Sequence, residues 1–406
     1  MGAMTTAARL DTTIDEVTAQ VYKIPTDAPE ADGTLAWSST TLVLAEVSAG
    51  GERGIGYTYG DGACGKLITG PLAGTLTGHN AIDIPARWES MVKAMRNNGR
   101  PGLVSCAISA IDTALWDLKG KLLGLPVCRL LGMAHPAVPI YGSGGFTTYD
   151  ERTTRAQLER WVDEWQIPRV KIKIGESWGS DERRDLDRIA LARKVIGPDT
   201  ELYVDANGAY QRKQAIRVAH AMADHDVTWF EEPVSSDDLA GLREVRDQVT
   251  PDVTAGEYGY DLAYFHRMLA AGAVDCLQID VTRCGASPTG CAPPPWPPPA
   301  TWTSPGIAPP TCTPTSPPPS RICGTWSTST ITTASSTCSS SARSPPRAAP
   351  CGRINTGPGS AWSSSTATPS GTGWPENPAA AGRHGRGQKR EPIRQGFHKR
   401  KWSKAR

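Results

Sequence analysis

From Cys284 to its last residue the chain has no Leu, Val, Met or Asp, and its only acidic residues there are Glu376 and Glu391. A segment so poor in branched aliphatic side chains buries too little apolar surface to offset the entropy of ordering its backbone. Residues 284–406 are therefore expected to form a Pro-, Ser- and Thr-rich disordered tail. Long apolar runs are missing too. No stretch reaches the roughly 20 residues that span a bilayer, and residues 1–10 lack the charged start and apolar run of a secretory leader. These absences exclude a helical membrane span and point to a cytoplasmic protein. Paired metal-ligand cysteines are also lacking: six of the ten cysteines fall in the tail, and Cys64, Cys106, Cys128 and Cys276 show no CxxC spacing. Those four are read as reduced core thiols. A net charge of +2 is too small to imply a nucleic-acid partner. The basic run at 384–406 is read as solvated, with nucleic-acid or anionic-surface binding as the alternative.

What is present divides at about residue 135. Residues 1–135 read as an α+β domain, with strands over 13–22 and 39–48 separated by a loop over 25–34. Helices follow over 84–97 and 105–123, the second carrying Ala107, Ile111, Ala114, Leu115 and Leu118 at helical spacing. Residues 136–283 repeat strand, loop and amphipathic helix about every 25 to 33 residues, the rhythm of parallel β/α units. The spacing predicts strands at 138–141, 169–174, 201–205, 228–231, 252–256 and 276–279. Helices are predicted at 155–165, 182–196, 213–224, 238–248 and 262–271. The fold class is thus α/β: an α+β capping domain, then a (β/α) TIM-type barrel left incomplete at about six strands, then the tail. A doubly wound open sheet could also stop at six, so the count leaves both architectures open. In an incomplete barrel the first and sixth strands would keep exposed edges.

Charged residues gather at the C-terminal ends of these strands, where barrel enzymes carry out chemistry. Lys171 and Lys173 end the second strand, Asp205 and Asn207 the third, Glu231 and Glu232 the fourth, Glu257 the fifth and Asp280 the sixth. The two lysines stand two residues apart and point the same way. Three carboxylates from adjacent strands suit an all-oxygen Mg²⁺ site with open positions for substrate. Beside a metal, in an apolar wall, a lysine of lowered pKa would act as a base. The proton beside a carboxylate is weakly acidic, so the enediolate left behind needs a cation.

Val170-Lys171-Ile172-Lys173, Val204-Asp205-Ala206-Asn207, Trp229-Phe230-Glu231-Glu232-Pro233 and Ala255-Gly256-Glu257 together resemble the motifs of the mandelate racemase branch of the enolase superfamily. The run from Ala107 to Lys121, closed by Leu130-Leu131-Gly132, is similar to that family's signature at the end of its capping domain. The resemblance covers about residues 12–290. It implies that Asp205, Glu231 and Glu257 hold Mg²⁺, that Lys173 is the base on one face, and that Lys171 tunes it or touches the substrate carboxylate. It also implies that Asn207 contacts substrate and that residues 25–37, with Trp37, close over the mouth as a specificity lid. Asp280 would orient a histidine on the seventh strand. Intact family members form homo-oligomers.

That histidine is absent, because after His266 the next one is His384. Asp280-Val281-Thr282-Arg283-Cys284-Gly285 still resembles the family before Pro-rich runs begin, the residues that GC-rich codons yield when read out of register. A frameshift just after Gly285 is the expectation. The expected function is Mg²⁺-dependent abstraction of a proton α to a carboxylate, as an acid-sugar dehydratase. The alternatives are a racemase or epimerase of a 2-hydroxy acid, and a catalytically inactive frameshifted product.

Overall fold

A computed structural model of the chain describes residues 11–133 and 136–285, together with the backbone of 321–322. The disordered-tail and frameshift expectations lie almost wholly outside the described residues. The first unit is a three-stranded antiparallel sheet of β1 (Ile14–Ala31), β2 (Ala36–Ala49) and β3 (Glu52–Tyr59). Alternate residues of β2, namely Val43, Ala45, Val47 and Ala49, are fully buried, as a sheet covered on one face requires. The cover is helical. After α1 (Ala63–Leu67) and α2 (Ile84–Ala94), the long α3 (Leu103–Leu123) crosses the sheet and ends on the left-handed Gly124, and the short α4 (Val127–Leu131) follows.

Close packing of α3 on β3 depends on two glycines. A Cβ at Gly54 would lie 2.1 Å from the Ala114 carbonyl oxygen, and one at Gly56 2.1 Å from that of Ala110. Gly56→Ala is expected to destabilise the folded state by about 1–3 kcal/mol, the usual cost of overpacking. An unchanged Tm in thermal unfolding would show that β3 and α3 have room to separate.

The predicted loop over 25–34 is mostly strand. β1 runs on to Ala31, with a register shift between Pro25 and Glu30, and pairs Glu30 with Trp37 and Ala31 with Ala36. Proline removes a backbone donor, so the ladder breaks at Pro25 and resumes beyond it. Turn-forming composition had concealed a long hairpin whose tip is residues 32–35.

The second unit holds β4 (Gly142–Gly144), β5 (Arg169–Lys173), β6 (Glu201–Asp205), β7 (Val227–Glu231), β8 (Asp252–Ala255) and β9 (Cys276–Leu277). Each is parallel to the next, in chain order. Between them lie α5 (Glu151–Glu159), α6 (Glu176–Gly179), α7 (Glu182–Ile196), α8 (Arg212–Ala221) and α9 (Leu239–Arg246), with α10 (Leu262–Ala270) before β9. A doubly wound sheet reverses strand order at its centre. This sheet never reverses, so it is a barrel wall wound one way. Val170, Ile172, Val204, Phe230 and Val253 pack outward in the helix-facing core, while Tyr141, Tyr203, Trp229 and Cys276 form a separate inner cluster.

Two expectations need correction. The first strand is Gly142–Gly144 rather than 138–141, because Trp161 and Gln157 press where side chains would be: a Cβ at Gly142 would meet Trp161 at 2.5 Å. The sixth strand's outer edge is not bare, since β10 (Arg321–Ile322) pairs with Cys276 and Leu277. The segments after β8 and β9 are tied to the capping unit. Gly285 donates to Ser109 Oγ at 2.6 Å, Thr58 donates to the Thr282 carbonyl at 2.7 Å, and Ser105 donates to the Tyr260 carbonyl at 3.0 Å.

Candidate active site

The register of the parallel wall sets Lys173 beside Asp205 and Asp205 beside Glu231. Lys171, one pleat deeper, donates to Glu231 Oε2 and lies 3.4 Å from Asp205 Oδ2. Lys173 Nζ lies 2.5 Å from Asp205 Oδ2 and 3.0 Å from Asn207 Oδ1. Trp229 Nε1 donates to Glu231 Oε2 at 3.2 Å. Beneath them Tyr203 stacks on Trp229 with centroids 5.1 Å apart, and Lys171 Nζ sits 5.1 Å from the Tyr141 ring centre, a cation–π approach. Asp205 and Glu231 are fully buried, and the Lys171 side chain is 4% exposed.

Such a cluster is stable only as a unit, since each charge is desolvated and paired. Burial opposes the charge on Lys171, but Glu231, with Tyr141, Asp205 and Glu257, outweighs it and holds the ammonium well above its ordinary range. Lys173 is likewise raised: Asp205 prevails over burial. The lowered lysine pKa expected of the site is thus not its state with carboxylates alone as neighbours. Asp205 is itself drawn below the usual carboxylate range, the two lysines overcoming burial. Glu231 is pushed up by burial and by Asp205. Its Oε1 is buried without a hydrogen-bond partner.

Among the described residues no three His, Cys, Asp or Glu side chains stand ready to coordinate an ion. The lysines take up the carboxylate oxygens instead. The donor set still suits a hard divalent cation: carboxylates on adjacent strands, one with a free buried oxygen.

Glu257 and Asp280 meet a different cation. Arg283 donates to the Glu257 carbonyl at 3.3 Å, lies 4.0 Å from Glu257 Oε1, and places Nε 3.3 Å from Asp280 Oδ2. The other Asp280 oxygen accepts from the Thr282 backbone at 2.8 Å and hydroxyl at 2.7 Å. Sequence reasoning quoted Arg283 but gave it no role. It missed Arg188 entirely: buried on α7, that guanidinium donates to the carbonyls of Gly145 and Lys173 and holds the ends of β4 and β5. A lone helix arginine carries no sequence signal for such a task.

The hairpin tip is docked on the barrel mouth. Thr147 donates to the Ala31 carbonyl at 2.8 Å and Trp178 to that of Gly33 at 2.8 Å. A Cβ on Gly33 would lie 2.7 Å from the Ala206 oxygen and 2.9 Å from that of Gly175. Gly33→Val is expected to unseat the tip at about 1–3 kcal/mol and to speed proteolysis within residues 31–36 by about tenfold. Equal cleavage rates would show the seat to be unimportant. Trp37 donates to Glu30 at 2.7 Å and sets its ring edge-on to Phe146, so it braces the hairpin. The tip residue in the cavity wall is Thr34. That cavity, about 540 Å³, lies beside Asn207, Glu232, Tyr258, Tyr264 and Arg267.

An α+β cap over a one-way β/α wall, with buried lysines and carboxylates at its strand ends, defines a capped β/α-barrel protein. The chain belongs to the mandelate racemase / muconate lactonizing enzyme family of the enolase superfamily. Residues 16–132 match the mandelate racemase / muconate lactonizing enzyme N-terminal domain, and residues 153–289 the enolase C-terminal domain-like model. The chain is 32% identical to the 3,6-anhydro-alpha-L-galactonate cycloisomerase of Streptomyces coelicolor, covering 68% of this chain and 77% of that one. Among solved structures it resembles a mandelate racemase/muconate lactonizing enzyme-like protein from Rubrobacter xylanophilus (TM-score 0.64, 48% identity, 68% of this chain and 75% of that one). It also resembles the L-talarate/galactarate dehydratase of Salmonella typhimurium LT2, liganded with Mg and L-lyxarohydroxamate (TM-score 0.63, 27% identity, 71% and 75%). No helix among the described residues is long and apolar enough to cross a membrane.

Proposed function

We propose that this chain is a Mg²⁺-dependent hydro-lyase that removes the proton α to the carboxylate of a sugar acid. The observation that carries the reading is the buried ladder of Lys171, Lys173, Asp205 and Glu231 on three adjacent strand ends. Asp205, Glu231 and Glu257 would hold the metal, with Glu231 Oε1 the oxygen free to do so. Bound there, Mg²⁺ supplies positive charge where the carboxylate gains electron density. Lys173, an ammonium while paired with Asp205, would act as the base once Asp205 is engaged by the metal and the amine is neutral; its Nζ, oriented by Asn207, then takes the α-proton, and Lys171 steadies the carboxylate from the deeper pleat. The same Lys173 proton then leaves with the β-hydroxyl as water, which breaks the C–O bond and balances the elimination. In this reading residues 1–135 cap the site and residues 136–283 carry it.

Racemisation needs a second proton carrier on the opposite face. Among the described residues Asp280 is bonded to Thr282 and Arg283, neither of them a base, and this favours elimination. The test is NMR in D₂O with Mg²⁺ and a panel of aldonates and aldarates. Loss of the β-hydroxyl is expected, with deuterium at the former β-carbon as the enol becomes a 2-keto acid, and at the α-carbon of recovered substrate where proton removal reverses. A folded sample giving neither would sink the proposal and favour an inactive chain.

A further inference from the structure

Arg188 is only 6% exposed, and among the described residues its guanidinium bonds to main-chain carbonyls alone. Its Nε is buried without a partner. A buried charge with no counter-ion in contact is costly to the fold. What it holds is the backbone at the reacting end of the wall. It donates to the Gly145 carbonyl, to that of Tyr149 at 3.2 Å and to that of Lys173 at 3.5 Å. The Gly145 carbonyl also accepts from the Lys173 amide at 3.1 Å. Both peptide groups that flank the Lys173 Cα are thus fixed by one guanidinium, the carbonyl directly and the amide through Gly145.

The same segment, 145–149, carries the hairpin tip on its other side. Thr147 donates to the Ala31 carbonyl from its amide at 2.8 Å and from its hydroxyl at 3.1 Å, and its hydroxyl lies 3.0 Å from the Asp32 carbonyl. Thr148 donates to the Pro29 carbonyl at 2.7 Å. Arg184, one turn earlier on α7, reaches the Thr147 carbonyl at 2.9 Å. We propose that Arg188 is a positioning residue that joins the seat of the hairpin tip to the aim of Lys173, so that lid and base are held as one unit. The inference rests on the proposed function for the role of Lys173 and adds the group that places it.

The same helix supplies the control. Arg193 also spans main-chain carbonyls, those of Gly197, Thr200, His225 and Asp226, but at the opposite rim, where β6 and β7 begin. Lysine in either place keeps the charge and loses the planar fork that serves several acceptors. In Arg188→Lys, deuterium uptake at the α-carbon at saturating acid and Mg²⁺ is expected to fall about 100-fold, the effect of misplacing a reacting group by about 1 Å. KM for the acid should stay within about threefold, since the loss falls on the transition state. Proteolysis within residues 31–36 should quicken about fivefold or more. Arg193→Lys should lower the urea midpoint while keeping both exchange and tip protection. Exchange or tip protection unmoved in Arg188→Lys, or moved as far in Arg193→Lys, overturns the inference and leaves the proposed function standing. Should Arg188→Lys fail to fold, Arg184→Gln, which frees the Thr147 carbonyl, must lower exchange about threefold or more and speed the same cleavage. If the parent chain exchanges no acid of the panel, the proposed function fails and this inference fails with it.

Discussion

Lys173→Arg is expected to abolish solvent deuterium exchange at the α-carbon, a loss of about 10²–10⁴-fold for removal of a general base. The replacement is chosen because a guanidinium keeps the positive charge beside Asp205 but cannot be deprotonated in a protein. Lys173 sits between Asp205 and Asn207 with its side chain 14% exposed, so the pair to Asp205 stabilises the fold as well as placing the proton acceptor. Lys173→Ala removes both functions; Lys173→Arg separates them. Lost exchange with a retained circular dichroism spectrum and Tm identifies a base. Retained exchange would mean that the α-proton goes elsewhere.

Asp205→Asn is expected to cause the largest loss of stability. Lys171 and Lys173 both direct Nζ at Asp205 Oδ2; Lys171 and Asp205 are shut off from bulk water and Lys173 keeps little of it. Removing the shared carboxylate leaves buried ammonium charge uncompensated, which costs about 3–5 kcal/mol when one partner of a buried pair is lost. Urea unfolding in EDTA reads this directly. Added Mg²⁺ should stabilise the parent chain by about 2.7 kcal/mol at a hundred times Kd, through mass action on the folded state. The Asp205→Asn variant should gain little. Equal stability and an equal Mg²⁺ response in the two proteins would remove Asp205 from both roles.

The strand ends were legible because a parallel strand buried on both faces reads as an apolar run, and a charge that closes such a run stands out. Val170, Ile172 and Val204 marked the wall, and Lys171, Lys173, Asp205 and Glu231 marked its rim. The first strand was not legible, because Gly142 and Gly144 carry no side chains and their strand exists through what Trp161 and Gln157 pack against. Nor was the long hairpin, since residues 25–31 have turn-like composition, and Glu30 and Ala31 pair only because Trp37 and Ala36 lie opposite. Arg283 was visible as a letter, but its pairing with Glu257 and Asp280 depends on the loops after β8 and β9 converging.

By itself the sequence marked the family and the residues of the candidate site. Period-two burial and acid-ended strands are local properties, and a lysine pair two residues apart must share a face whatever the rest of the chain does. Only the tertiary structure decided the winding of the sheet, the seat of the hairpin at Gly33, and the partners of each charge. Strand order, backbone approach and ion pairing join residues far apart in the chain, and their energies depend on distance and on exclusion from water, which a string of residue types does not contain.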